Sequence, residues 1–273
     1  MYPSSADGIP IIVDEDQLIE LVVKMHEGLL RLGPGNAQST LKALSYCHAL
    51  PSAPRILDVG CGTGSQTLIL AAELPDARIA ATDLVPIFLT QLKTQADRQG
   101  WLDRIEVKEA DMNALPFPEN SFDLIWSEGA VYIMGFDQGL KKWRPLVRPG
   151  GYLVVSEISW FRSDPPAELR DYWQEQYSGI RHVQENLAAA ESLGWTPIAN
   201  FHLPDEAWTV DYYGPLRKRL PLFRRENADD EDAQAIADMT EQEMKIITAN
   251  FEYCGYEFYV FQKLSAVLAE TAS

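Results

Sequence analysis

Three carboxylates and three glycines stand at spacings that suit the capture of a nucleoside. The run Arg55-Ile-Leu-Asp-Val-Gly-Cys-Gly-Thr-Gly64 sets Asp58 inside an apolar stretch and glycines at 60, 62 and 64. Asp83 follows the last glycine by 19 residues, and Asp111 comes after the next apolar stretch. A glycine bend lets the chain turn where a Cβ is forbidden and brings backbone close to a ligand. A helix starting just beyond it offers N–H groups with no intrahelical partner. A carboxylate closing the neighbouring strand then accepts hydrogen bonds from ribose hydroxyls. Each part alone has a plain structural use: a tight turn, a helix cap before Pro86 or a loop acid. Their order, strand, glycine loop, helix, strand with acid, helix, strand with acid, is what makes them a site.

The elements that must position these residues alternate along the chain. Apolar runs read as strands at 55–60, 78–83, 104–108, 122–127 and 151–157, and helical patterns fall at 64–74, 86–100 and 137–147. This is an α/β fold, a mostly parallel seven-stranded sheet with helices on both faces. Ligands of such sheets bind beyond the carboxyl ends of the strands, where the strand order switches. Two helices at the N-terminus, from Asp14 to about His26 and from Gln38 to about Leu50, precede the first strand, and residues 1–13 read as a loose or edge segment. After Glu157 comes a segment rich in aromatics (Trp160, Phe161, Tyr172, Trp173, Tyr177), which could line a pocket or fill a core, then a helix at 183–193 and a sixth strand at 197–203. Trp208, Tyr212 and Tyr213 follow with the same two uses open. The basic run Arg217, Lys218, Arg219, Arg224 and Arg225 could attract an anionic substrate or pair with the acids at 229–232, and pairing is the expectation; a helix at 230–250 and a seventh strand at 256–263 follow.

Leu57-Asp58-Val59-Gly60-Cys61-Gly62-Thr63-Gly64 resembles the first motif of the class I S-adenosylmethionine (SAM)-dependent methyltransferases. Leu115-Pro-Phe-Pro-Glu-Asn-Ser-Phe-Asp-Leu-Ile-Trp126 and the turn Pro149-Gly150-Gly151 resemble later parts of the same pattern, so the likeness covers roughly 36–157. It implies a Rossmann-like methyltransferase fold on one domain, 1–273. The N-terminal helices (14–50) form a cap, 55–157 is the SAM-binding core, 158–228 a substrate-side insertion, and 229–273 the last helix and a strand antiparallel to the sixth. The resemblance also implies that SAM is the cofactor, bound with Asp58 among its residues, its methionine end along Gly60, Cys61 and Gly62, its ribose on Asp83 and its adenine near Asp111 and Met112. Leu84, Ser127 and Glu128 are further implied contacts. A methyl already activated on sulfur needs chiefly an acceptor held in line. If that acceptor is a hydroxyl or an acidic carbon, a base must take its proton. Glu128 is the first candidate and Tyr132 the second, with Glu157, His182 and His202 behind them. The Asn/Asp-Pro-Pro-aromatic motif of enzymes acting on adenine or glutamine amides is missing from Ser127-Glu-Gly-Ala-Val-Tyr132, which points to a small-molecule acceptor.

Composition agrees with that direction. The net charge of −17 repels nucleic acid and anionic membrane surfaces. No apolar run nears the roughly 20 residues that span a bilayer. Three cysteines, Cys47, Cys61 and Cys254, make neither a disulfide framework nor a zinc set, and no metal is expected. A cytoplasmic monomer or homodimer follows. Two rivals share part of the pattern: an NAD-dependent oxidoreductase leaves Asp58, the G-x-G-x-G spacing and 115–126 unexplained, and a non-catalytic SAM-binding protein keeps the cleft without a reactive pocket.

Overall fold

Near-continuous apolar runs fold as strands buried on both faces, and here they share one sheet. The computed structural model describes residues 15–264. Its strands are β1 (Arg55–Val59), β2 (Arg78–Asp83), β3 (Ile105–Glu109), β4 (Phe122–Ser127), β5 (Val147–Trp160), β6 (Arg181–His182), β7 (Thr196–His202) and β8 (Cys254–Gln262). The order is β3-β2-β1-β4-β5-β8-β7, with β6 paired to β5. β1 to β5 pair in parallel, and β7 lies antiparallel on β8. β1 and β4 are neighbours although β2 and β3 intervene in sequence, so the strand order switches between them. The bend after β1 opens at that switch.

The helices are α1 (Glu15–Met25), α2 (Ala37–Ser45), α3 (Ser65–Glu73), α4 (Pro86–Arg98), α5 (Phe136–Trp143), α6 (Ala167–Gln176), α7 (Val183–Ser192), α8 (Asp205–Thr209), α9 (Tyr213–Glu226) and α10 (Glu231–Thr248). None of them is long and apolar enough to cross a membrane. The chain forms two compact units. One holds 36–158, 183–203 and the chain from Tyr256, and the other holds the chain to Gly35, 159–182 and 204–255. The two N-terminal helices read together as a cap therefore divide, α1 in one unit and α2 in the other. The segment expected at 1–13 and the end of the C-terminal span lie outside the described residues.

Several elements differ from the expectation. The two-residue β6 makes an eighth strand, and β5 starts at Val147, ahead of the Gly150-Gly151 turn, and runs on to Trp160. α6, α8 and α9 form where the sequence reading placed no element. α9 buries Tyr213, Leu216, Leu220 and Phe223 at helical spacing, but Pro221 inside it breaks the pattern by eye. The basic run does not pair with 229–232. Arg219, itself buried, bonds Glu27, Glu226 and the Lys24 carbonyl, and Arg224 bonds Asp238 and Glu241. Asp230 instead caps α10, accepting from the Ala233 N–H. Helical periodicity brings those partners near, whereas the acids at 229–232 sit at a helix start where the dipole favours them. Among the aromatics, Trp173, Trp208, Tyr212 and Tyr213 fill a core, while Trp160, Phe161, Tyr172 and Tyr177 are half-buried.

His26 closes that core from α1's end. Its Nδ1 lies 2.9 Å from the Val22 carbonyl oxygen, its Nε2 3.1 Å from the Tyr212 hydroxyl, and burial pushes its pKa down to about 4. Above the free-histidine value both states are neutral and nothing changes. As pH falls from 6.5 towards 4, the unfolded chain takes a proton that the folded one refuses, and stability drops. Buried Asp58, with a pKa raised to about 7, works oppositely in that window. The measurement is thus a difference: wild type should lose up to roughly 3 kcal/mol against His26→Gln between pH 7 and pH 4 in urea unfolding, and parallel curves would refute the assignment.

Candidate active site

The bend between β1 and α3 carries Gly60, Gly62 and Gly64 at φ of 68°, 52° and 87°, the left-handed region where a side chain is strained. Packing adds a second reason at two of them. A Cβ on Gly60 would sit 2.5 Å from the Ala130 Cβ, and one on Gly64 2.2 Å from the Leu92 Cδ1. The Gly62 N–H donates to Asp83 Oδ2 at 2.9 Å, and the Val85 N–H donates to Oδ1 at 2.9 Å. Asp83 thus ties the middle of the bend to the head of α4, so its helix-start role and its place at the site coexist. Burial raises its carboxyl pKa.

Three expected cofactor residues have buried side chains that build the bend from beneath. Asp58 is wholly buried, accepting from the Thr67 hydroxyl and the Gln66 amide in the first turn of α3. Burial raises its pKa to about 7, with the charges of Glu128 and Asp83 adding to the effect. Cys61 packs against Ala81, Leu89 and Leu92, and burial lifts its thiol well above the usual range, so it is no nucleophile. Ser127 donates to the Val59 carbonyl at 2.9 Å and staples the end of β4 to the end of β1.

The other expected residues reach the surface of the same edge. Gly60, Gly62, Asp83, Met112, Glu128 and Tyr132 are half-buried, while Asp111 and Leu84 are exposed. Asp111 Oδ1 accepts from both nitrogens of Asn113, which fixes the loop after β3, and the Met112 carbonyl accepts from the Trp143 indole. Glu128 Oε1 accepts from the Thr40 hydroxyl at 2.7 Å and the Trp126 indole at 3.0 Å. Sequence reasoning missed both donors. Trp126 was findable, since residues two apart on a strand share a face. Nothing local marks Thr40, which arrives on α2. Tyr132 sits in a 3-10 turn at Val131–Ile133, just past Gly129, whose N–H donates to the Ser156 hydroxyl.

The remaining base candidates are placed differently. Glu157 is buried within β5. His202 bonds through Nδ1 to buried Glu257 across the β7–β8 pair, and its side chain is 57% exposed. His182 lies on β6 in the other unit. Among the described residues, no group of three or more His, Cys, Asp and Glu could hold a metal ion.

A parallel sheet with this order, a glycine bend at its switch and an acid closing β2 define a Rossmann-like fold of the class I methyltransferase type. Residues 56–151 match the model of the methyltransferase domain family. A malonyl-[acyl-carrier protein] O-methyltransferase from Halorhodospira halophila is 32% identical over 180 residues, 64% of this chain and 59% of that protein. A ubiquinone/menaquinone biosynthesis C-methyltransferase from Hahella chejuensis is 34% identical over 146 residues, 53% of this chain and 57% of that one. The chain thus spans about three fifths of the length of these relatives. Among solved structures, a SAM-dependent methyltransferase from Geobacter sulfurreducens in complex with S-adenosyl-L-homocysteine shares the fold at a TM-score of 0.76 and 19% identity, covering 89% of this chain and 97% of its own. The cyclase SpnF shares it at 0.70 and 18%, covering 92% and 94%. The fold therefore carries more than one chemistry.

Proposed function

We propose that the protein is a SAM-dependent methyltransferase acting on a small-molecule acceptor, with S-adenosyl-L-homocysteine as product. The observation that carries this reading is the bond from Gly62 to Asp83, which couples the bend to the acid suited to a ribose diol. The residues present fit the cofactor by the chemistry they offer. Asp83 provides acceptors for the diol, Leu84 and Met112 apolar surface for a purine, and Asp111 a further acceptor. When bound, the cofactor supplies a methyl group already activated on sulfur. The chain's own part is to hold the acceptor in line and to keep water out.

Glu128 is the proposed proton acceptor. Thr40 and Trp126 both donate to one of its oxygens, which fixes the carboxylate at the end of β4. Tyr132, in the turn that follows, is the second catalytic candidate. The relatives are named for transfer to oxygen in one case and to carbon in the other, which supports an acceptor bearing an acidic O–H or C–H. The net charge of −17 supports a small molecule over nucleic acid. A cytoplasmic monomer or homodimer belongs to the same proposal.

Glu128→Gln should lower kcat by about 100-fold, the lower end for a lost general base, and change acceptor KM little. Unchanged kinetics would remove Glu128 from that role. A loss confined to calorimetric cofactor affinity would make it an ammonium ligand instead. The wider test is transfer of labelled methyl from SAM into fractions of a small-metabolite extract. A tight cofactor complex that labels nothing would instead select SAM binding without methyl transfer.

A further inference from the structure

In the unit that does not hold the glycine bend, α9 and α10 line an open surface cleft of about 420 Å³. Arg217, Leu220 and Pro221 line it from α9, and Met244, Lys245 and Thr248 from α10. Its origin lies in the sequence. Pro221 has no N–H, so the Arg217 carbonyl four residues back loses its helical donor, and the proline ring presses on that turn. Leu220 and Met244 are buried and form an apolar floor, while Arg217 and Lys245 stand exposed on opposite helices.

Charge is distributed unevenly along this helix pair. Arg219 and Arg224 each bond two acids, and Glu241, at the cleft's edge, is one of those taken by Arg224. Arg217 and Lys245 have no ion pair among the described residues. In a chain with a net charge of −17, two cations left over an apolar floor make a receptor for an anion with an apolar body. The volume falls in the range of small-molecule sites and is too small for a folded partner. A second anionic group elsewhere on the ligand would meet Glu241, so one anionic head on an apolar body fits best.

We propose that this cleft binds a small amphipathic anion, its carboxylate or phosphate head between Arg217 and Lys245 and a short alkyl body over Leu220, Pro221 and Met244. The site is independent of the methyl-transfer reading. The full chain, labelled with ¹³C at the methionine methyls, is titrated with octanoate, and the Met244 resonance should shift saturably with Kd on the order of 1 mM or below. Acetate, lacking the body, and octanol, lacking the charge, should each bind about tenfold more weakly. Octyl phosphate competing with octanoate would show that either head serves, and binding of octanoate alone would narrow the site to carboxylates. The double variant Arg217→Gln, Lys245→Gln should weaken octanoate about tenfold while leaving S-adenosyl-L-homocysteine affinity unchanged. Thr248→Phe, which fills the cleft, should block octanoate without touching either cation. A Met244 resonance that stays still, octanol binding as well as octanoate, or variants that bind octanoate normally would each overturn the proposal.

Discussion

Asp83→Ala should weaken cofactor binding by about 100-fold or more in calorimetry while the free protein stays folded. Hydrogen bonds to a charged group contribute about 1.5–3 kcal/mol each, so two to a diol account for at least that factor. The same carboxylate also accepts from the Gly62 and Val85 N–H groups, so alanine leaves two donors near the bend without their partner. The loss therefore combines missing ligand contacts with a looser bend. Asp83→Asn should fare little better, because an amide keeps one acceptor and turns a donor towards the Gly62 or Val85 N–H. Wild-type affinity in either variant would remove Asp83 from the ribose role.

Gly64→Val should be the most destabilising change in the bend. Its Cβ would lie 2.2 Å, 2.8 Å and 3.0 Å from three atoms of Leu92, which is fully buried among Cys61, Ala81 and Leu89. Overpacking of this kind costs about 1–3 kcal/mol, and the left-handed backbone at φ 87° adds about 1–2 kcal/mol. A melting point lower by roughly 10 °C is expected for a chain of this size. Gly100→Ala is the comparison: its φ is 71° but nothing lies within 4 Å of an added Cβ. It should show the backbone cost alone, a few degrees at most. Equal losses in the two variants would mean that the contact with Leu92 contributes nothing.

Much of the nucleotide-binding half was legible because its signals are local. A buried parallel strand announces itself as an apolar run, so β2 and β4 fall at the expected residues and β1 within one residue of them. The glycines mark their own left-handed positions. What could not be read depends on distant partners. Asp58, Cys61 and Ser127 look like ligand residues in sequence, yet their burial is decided by α3, α4 and the end of β1, which come from elsewhere in the chain. Thr40 reaches Glu128 across 88 residues of sequence, a contact no spacing rule foresees. α9 hid behind Pro221 and five cations, although its stripe from Tyr213 to Phe223 was present. The pairing of Arg224 with Asp238 and Glu241 skips the nearer acids because helix geometry, not sequence distance, sets which side chains meet.

The most direct test is calorimetric titration of S-adenosyl-L-homocysteine and, separately, NAD into the wild-type chain and Asp83→Ala. Saturable 1:1 binding of the homocysteine compound to wild type, lost in the variant and unmatched by NAD, is the expected result. Binding of NAD in its place, or of neither nucleoside, would contradict the account.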